Sequence, residues 1–260
     1  ICDGRDGDTF LPHPPGNDGY FGTTVYGGAI EIVEGSPNLN NCTFTGCWAL
    51  GGNGGLGSNG DSTHPVGYDG GWAGGAYGGA VYCGYASNPT FTDCRFVDCY
   101  AQGGNGGNGG DGANAHGGRG GNWEDAESME TGIGSGDMWW TGTPYWGWWD
   151  GWEWGIYDAD GEYAPDRVAP YTAGFREYWK YSGYGGAVHV EFESAPKFVN
   201  CTFENNRVYG GISGIGGSSP VPQLTRTPNR PINIECFGGA LYAAYGSKPE
   251  LTGCTFTKCV

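Results

Sequence analysis

Apolar residues alternate with polar or small residues in four segments of this chain, and a period of two is typical of β-strands. Each segment begins with Gly-Gly-Ala and continues through the alternating pattern to a proline. A phenylalanine follows seven positions after that proline, and a cysteine or asparagine ten positions after it. The segments, here called repeats 1 to 4, are 27–50, 78–102, 185–209 and 238–260. A motif that keeps its internal spacing while the connections vary indicates a structural repeat.

The alternating pattern of one repeat predicts three short strands separated by turn residues. Stacked copies of such a unit form a parallel β-helix, and crossovers between parallel strands are almost always right-handed. We therefore predict an all-β fold, a right-handed parallel β-helix of about four rungs, in a single domain over residues 1–260. Asn206 is expected at a turn position with left-handed backbone geometry. On the first strand, the side chains predicted to face outward are Glu31, Tyr82, His189 and Tyr242.

Cysteines recur five and ten residues after the proline of the repeat. Stacking would place cysteines of neighbouring repeats within disulfide reach, and the candidate pairs are Cys42 with Cys94, Cys47 with Cys99 and Cys201 with Cys254. Ten cysteines in a repeat protein also favour an oxidising compartment. The alternative is a buried ladder of thiols, because cysteine packs well as a small apolar residue. A thiolate metal site is disfavoured, since the Cys-x4-Cys spacing lacks a CxxC knuckle. Cys83 is expected to be buried and unpaired.

The Gly-Gly-Ala motif with its apolar neighbour and the segment Phe203-Glu204-Asn205-Asn206 carry a family resemblance. They resemble the GGA[ILV] and FxxN motifs in the repeats of the chlamydial polymorphic outer-membrane proteins. The other repeats have cysteine where that family has asparagine, and the resemblance covers about 90 of the 260 residues. It implies a surface-exposed right-handed β-helix used in adhesion, and it carries no catalytic residues to this chain.

The connections between repeats are rich in glycine. They comprise loops 51–77 and 103–122 and a Gly- and Pro-rich return loop, 210–237. Within them, 51–60, 103–112 and 210–217 follow a Gly-Gly-x spacing, which suits polyproline-II-like helices with three residues per turn. We predict that these segments pack side by side through backbone hydrogen bonds. Flexible loops are the alternative, because ordering glycine has a large entropy cost.

Residues 123–183 form one aromatic and acidic insertion that holds nine of the eleven tryptophans. Its tryptophans are interpreted as anchors of a protein interface, as a carbohydrate-binding face, or as the insertion's own small core. The candidate interface residues are Trp139, Trp140, Trp146, Trp148, Trp149, Trp152 and Trp154.

Two acidic clusters are candidate calcium sites, because hard cations prefer carboxylate oxygens. They consist of Asp3, Asp6 and Asp8 near the start of the chain and of Asp158, Asp160 and Glu162 in the insertion. Ordinary solvated surface acids are the alternative interpretation. No other cofactor is expected.

A net charge of −16 disfavours nucleic acid and anionic lipid as partners. No transmembrane run is visible, the chain begins with Ile rather than Met, and an extracellular or cell-surface location is expected. The predicted outward rows stack no two acids, and no nucleophile or metalloprotease motif occurs, so we predict that the protein is not an enzyme. A polysaccharide lyase or hydrolase is the less favoured alternative.

Repeat 4 has no visible capping helix, and its strand edges, with Leu251 and Phe256, are predicted to be exposed. Cys259-Val260 would continue into Ile1-Cys2 as Cys47-Trp48 continues into Ala49. We therefore expect either a slice of a longer β-helix or a subunit that stacks head to tail into a filament, with Cys259 pairing with Cys2 of the next copy. The alternative function is a cell-surface adhesin or carbohydrate-binding segment.

Overall fold

The structure, a computed structural model, describes residues 2–3, 19–113, 146–149, 154–157, 183–218, 220, 233–234, 236–244 and 246–260. The chain divides into two compact units, of which one comprises Ile1–Trp123 and Lys180–Val260. The other is Glu124–Trp179, which falls inside the predicted insertion.

Strand bounds follow the repeats closely. Strand β1 is Cys2–Asp3. Repeat 1 and its preceding residues form β2 to β6: Val25–Tyr26, Ile30–Ile32, Asn38–Asn40, Thr43–Thr45 and Trp48–Leu50. Repeat 2 likewise forms β7 to β11: Ala76–Tyr77, Val81–Cys83, Thr90–Thr92, Arg95–Val97 and Tyr100–Gln102. The insertion contains β12 and β13: Trp146–Trp149 and Trp154–Tyr157. Repeat 3 forms β14 to β18: Gly183–Tyr184, Val188–Val190, Lys197–Val199, Thr202–Glu204 and Arg207–Tyr209. Repeat 4 forms β19 to β21: Leu241–Ala243, Glu250–Thr252 and Thr255–Thr257.

Successive strands of one repeat enter different sheets, and equivalent strands of successive repeats lie side by side. The resulting five parallel sheets have the orders β14-β7-β2, β19-β15-β8-β3, β20-β16-β9-β4, β21-β17-β10-β5 and β1-β6-β11-β18. Register is kept throughout, so that Phe44, Phe96, Phe203 and Phe256 are partners in turn. The described residues contain no α-helix. The prediction of an all-β fold with parallel strands is confirmed.

The core consists of ladders of like side chains. The rings of Phe96 and Phe203 stack with centroids 4.8 Å apart, and those of Phe91 and Phe198 stack at 5.0 Å. All four rings are fully buried. Because neighbouring strands of a sheet repeat at about 4.8 Å, flat rings stacked on one another fill the space between layers.

Glycine is required at the corner that opens each repeat. Gly78 has a φ of 72°, in the left-handed region that disfavours other residues. A Cβ at the next glycine, Gly79, would collide with the carbonyl oxygen of Gly186 in the next repeat. The Gly-Gly pair therefore permits both the turn and the close approach of neighbouring layers.

The expected role of Asn206 was wrong in one respect. The left-handed residue is its neighbour Asn205, with a φ of 54°, while the Asn206 side chain is buried. Its Nδ2 donates to the carbonyl of Phe96 at 2.9 Å, and its Oδ1 accepts from the backbone N–H of Cys99 at 2.9 Å. Asn206 is therefore a hydrogen-bonding member of the core ladder.

The predicted outward row on the first strand is also corrected in part. Glu31 is exposed, but Tyr82 is only 9% exposed and His189 only 2%. Tyrosines of the sheet β14-β7-β2 pack over this row, with Tyr184 edge-on to His189 at a centroid distance of 6.0 Å. The turn at the Gly-Gly corner brings the outer faces of two sheets together, so this row is covered.

The glycine-rich segments form an ordered array, here called the glycine bundle, made of 19–25, 51–60, 68–76, 103–112 and 210–218. Every third N–H of 51–60 donates to a carbonyl of 102–111, from Gly51, Gly54, Gly57 and Gly60 at 2.7–2.8 Å. The N–H groups of 103–112 donate to carbonyls of 209–218 with the same period, from Gly103, Gly106, Gly109 and Gly112. Segments 19–25 and 68–76 bond to the same array. A period of three is that of a polyproline-II helix, and the predicted lateral hydrogen bonding is confirmed.

Two phenylalanines of one ladder provide a matched test of this packing. Phe203→Ala should lower the free energy of unfolding by about 3–5 kcal/mol, because it leaves a cavity between two stacked rings. Phe256→Ala should cost less than about half of that, since Phe256 is already 48% exposed. Urea unfolding measures both, and equal losses would contradict the described packing.

Candidate functional site

The main unburied part of the core is the end of the stack formed by repeat 4. Leu251 is 43% exposed and Phe256 is 48% exposed, whereas their ladder neighbours Phe198 and Phe203 are fully buried. The ring of Phe256 stacks on Phe203 at 4.6 Å on one side. The other side has no described neighbouring layer. We call Leu251, Phe256 and the edges of β19, β20 and β21 the open end.

In the described part of the chain, the strands of repeat 4 lie at the margins of their sheets. Strands β19, β20 and β21 are each the last strand of their sheet. Each pairs with a strand of repeat 3 through one edge, and no further strand pairs with the other edge in the described part of the chain. Unpaired strand edges are templates for pairing with another chain.

The opposite end of the stack is different. Phe44, the counterpart of Phe256 in repeat 1, is only 8% exposed, and Ile32 is 6% exposed. Strand β1 lies beyond repeat 1 and pairs in parallel with β6, with Cys2 opposite Ala49 and Asp3 opposite Leu50. The two ends therefore offer different surfaces: an apolar face at repeat 4 and the edge of β1 beyond repeat 1.

The candidate disulfide residues lie in the two predicted columns, as thiols. The thiol of Cys94 donates to the carbonyl of Leu39 at 3.3 Å, and that of Cys201 to the carbonyl of Phe91 at 3.4 Å. In the second column, Cys99 donates to Phe44 at 3.5 Å, a bond equivalent to that of the Asn206 amide. Cysteine and asparagine can therefore occupy the same position because both donate to the carbonyl of the layer beneath. The remaining candidate thiols, Cys42, Cys47, Cys254 and Cys259, are half-buried.

The disulfide pairs themselves stay predictions. Cys83 is buried and unpaired, as predicted, and burial raises its pKa to about 12. Burial is also the main cause that raises the pKa of Cys99 to about 12 and of Cys201 to about 11. Cys259 lies beside Asn206, with 3.9 Å between Sγ and Nδ2, while Cys2 belongs to the layer beyond repeat 1. Bonding between Cys259 and the Cys2 of another copy would therefore require the two ends to meet.

A buried polar cluster around His189 escaped the sequence analysis. His189 Nε2 lies 3.2 Å from Glu191 Oε2, and the Tyr82 hydroxyl donates to the same oxygen at 3.1 Å. The imidazole is stacked between Tyr82 and Tyr242 at 5.4 and 5.3 Å, and its Nδ1 has no hydrogen-bond partner. The available signal was the His-x-Glu spacing, which places both side chains on one face of a strand. The cluster joins repeats 2 and 3, and its side chains are 3% exposed at His189 and 13% exposed at Glu191.

Most of the predicted calcium-binding residues lie outside the described part of the chain. Asp6, Asp8, Asp158, Asp160 and Glu162 fall outside the described residues, and Asp3 is described only as part of β1. The described residues contain no group of three His, Cys, Asp or Glu side chains suited to a metal ion. Calcium binding by the two acidic clusters stays a prediction.

Four of the candidate tryptophans lie on one antiparallel hairpin. Trp146, Trp148 and Trp149 belong to β12 and Trp154 to β13, with Trp149 directly opposite Trp154. Trp139, Trp140 and Trp152 are not among the residues that the structure describes. The proposed interface role of these tryptophans is therefore untested.

Comparisons with protein families, curated protein sequences and solved structures found no match to this chain. In the described part of the chain, no helix is long and apolar enough to cross a bilayer.

Alkaline pH should test the burial of Cys83. A thiol whose pKa is raised from 9.0 to about 12 in the folded state stabilises the fold below pH 9 and loses that contribution as pH rises towards 12. Cys83 alone should account for about 4 kcal/mol of lost stability at pH 12. Val190 occupies the same ladder, so Cys83→Val keeps the packing and should show a shallower loss. Urea unfolding at pH 8 to 12 measures the difference, and identical slopes would contradict burial of this thiol.

Peptide mapping without reduction should test the disulfide pairs. The prediction is linked peptides joining Cys42 to Cys94, Cys47 to Cys99 and Cys201 to Cys254 in material from an oxidising compartment. Complete alkylation of all ten cysteines before reduction would instead support the thiol ladder.

Proposed function

We propose that this chain is a non-enzymatic, extracellular structural protein: a right-handed parallel β-helix of four rungs that stacks head to tail into a filament. The contrast between the exposed Phe256 and the fully buried Phe203 of the same ladder carries the proposal. A further layer of parallel strands at the open end would bury Phe256 and Leu251 and pair the edges of β19, β20 and β21. Ten cysteines and the resemblance to surface β-helices support the extracellular location.

The opposite end supplies the receiving surface. In the described part of the chain, the sheets that end at β19, β20 and β21 begin at β3, β4 and β5, whereas β1 is the outermost strand of the sheet that contains β18. We infer that the contact lies on a layer beyond repeat 1, at the level of β1, because Phe44 is only 8% exposed. Repeats 1 to 4 and the β1 layer then give an axial repeat of about 24 Å, at about 4.8 Å per layer.

Burial of the two apolar side chains at the open end would favour association. Full burial of a Leu or Phe side chain contributes about 1.5–3 kcal/mol, and both open-end side chains are roughly half buried already. Two such residues contribute about 1.5–3 kcal/mol together, before any contribution from three paired strand edges. When one head-to-tail interface repeats without closing into a ring, the product is a filament.

Substitution at the open end tests the proposal. Phe256→Lys and Leu251→Lys should each raise the concentration needed for assembly by at least about tenfold, because each loses apolar burial and places a charge at the contact. Thr257→Lys is the matched control, since it adds the same charge on the same exposed strand but points to the opposite face. Sedimentation and negative-stain imaging measure assembly, and circular dichroism verifies folding.

A wild-type protein that remains monomeric at high concentration would contradict filament formation. Equal loss of assembly in Thr257→Lys would show that charge, rather than burial at the open end, controls it.

Adhesion to carbohydrate is a second candidate function, favoured by an exposed ridge along the stack. Tyr85 and Phe192 occupy equivalent positions of repeats 2 and 3, with exposures of 49% and 38%. The rings of Tyr85 and Phe192 lie 6.4 Å apart, next to the carboxylate-bearing Glu34 and Glu193. Exposed rings beside carboxylates suit sugar binding, and Tyr85→Ala should abolish any binding seen on a glycan array.

A further inference from the structure

The glycine bundle contains every Asn-Gly pair of the chain: Asn53-Gly54, Asn59-Gly60, Asn105-Gly106 and Asn108-Gly109. Asn-Gly is the peptide sequence most prone to deamidation, because glycine offers least steric hindrance to ring closure. In this reaction the glycine nitrogen loses its proton and bonds to the asparagine Cγ, and the side-chain nitrogen leaves as ammonia. Water then opens the cyclic imide to aspartate or isoaspartate. The reaction requires a mobile asparagine side chain and an accessible glycine N–H.

Both requirements are blocked at all four pairs. The glycine N–H groups are held by the neighbouring segment: Gly54 donates to the carbonyl of Asn105 at 2.7 Å and Gly106 to that of Ile212 at 2.8 Å. Gly60 and Gly109 are bonded in the same way, at 2.7 and 2.9 Å. The glycine nitrogen that would attack therefore donates its hydrogen to a carbonyl of the neighbouring segment.

The asparagine side chains are fixed by the same neighbours. Asn53 Oδ1 accepts from the N–H of Asn105 at 2.8 Å, and Asn59 Oδ1 from the N–H of Asp111 at 2.8 Å. The remaining pair of bonds joins Asn105 Oδ1 to the N–H of Ile212 at 3.0 Å and Asn108 Oδ1 to that of Ile215 at 2.9 Å. One segment thus immobilises both reacting groups of each pair.

We propose that these four asparagines are latent modification sites, silent in the folded bundle and converted to isoaspartate by water whenever the bundle opens. The aspartate product itself fits the hydrogen-bonding pattern of the glycine bundle. Asp111 already occupies an equivalent position and accepts hydrogen bonds from the Ser218 N–H and hydroxyl at 2.7 Å. Isoaspartate does not fit, since it adds a carbon to the backbone and breaks the period of three. Prolonged opening therefore makes unfolding irreversible.

Folded and unfolded protein should differ strongly in deamidation rate. Incubation at pH 8, with and without urea, followed by peptide mapping for isoaspartate, measures all four sites. We expect the folded chain to react at least about tenfold more slowly, equivalent to an opening free energy of about 1.4 kcal/mol. Rates within twofold of each other would overturn the proposal.

The variant Gly211→Ala should change the deamidation rate at two of the four sites and leave the rate at the other two unchanged. A Cβ at Gly211 would collide with the carbonyl oxygen of Gly104, which pushes 210–218 away from 103–112. Asn105 and Asn108 should then deamidate at least about tenfold faster, whereas Asn53 and Asn59, held by 103–112, should keep the wild-type rate. Gly46→Asn is the control outside the bundle, where Asn205 of repeat 3 adopts the same left-handed conformation.

Hydrogen exchange shows whether the variant opens as designed. Exposed amides at Gly106 and Gly109 with no faster deamidation at Asn105 and Asn108 would overturn the proposal. If Gly211→Ala does not fold, all four sites should react at the urea rate, and the comparison of folded with unfolded wild type then decides.

Discussion

In-register stacking of parallel strands is the constraint on which the rest of this structure depends. Each residue lies against its equivalent in the next repeat at about 4.8 Å, so a side chain must pack against a near copy of itself. Flat rings satisfy this condition, as the ladder from Phe44 to Phe256 shows. Small hydrogen-bond donors satisfy it too: Asn206 replaces cysteine because its amide reaches the same carbonyl of the layer beneath. Sequence repetition is therefore a consequence of layer spacing.

The same register extends beyond the strands into the glycine bundle. Strands β6, β11 and β18 end side by side, and the hydrogen bonds from Gly51 to Gln102 and from Gly103 to Tyr209 continue their spacing. The glycine-rich segments begin in register where these strands end. They stay in register with one another as long as each advances by three residues per turn. Close approach then excludes side chains on the inner faces, which explains the glycines. The bonds at every third residue offset the large entropy cost of ordering them.

The sequence period predicted the features that follow from residue spacing within the repeats. It did not predict the features that depend on how different sheets pack against one another. Strand pattern, phenylalanine ladders, the buried Cys83 and the lateral bonding of the glycine-rich segments all follow from spacing. The burial of His189 does not, because it results from two sheets folding together at the Gly-Gly corner. The left-handed position was assigned to Asn206 rather than Asn205, since side-chain propensity alone does not distinguish neighbouring asparagines.

In the proposed filament, the geometry of the open end restricts how two copies meet. Continuing the ladders requires the incoming strands to run parallel to β19, β20 and β21, with each sheet meeting its own counterpart. Translation and rotation along the stacking axis preserve both conditions. A two-fold axis across the open end reverses the sense in which the strands run around the stack, so the parallel sheets could not all continue across it. The difference between the exposed Phe256 and the covered Phe44 fits the same conclusion, because head-to-tail contacts use two different surfaces whereas two-fold contacts use one surface twice.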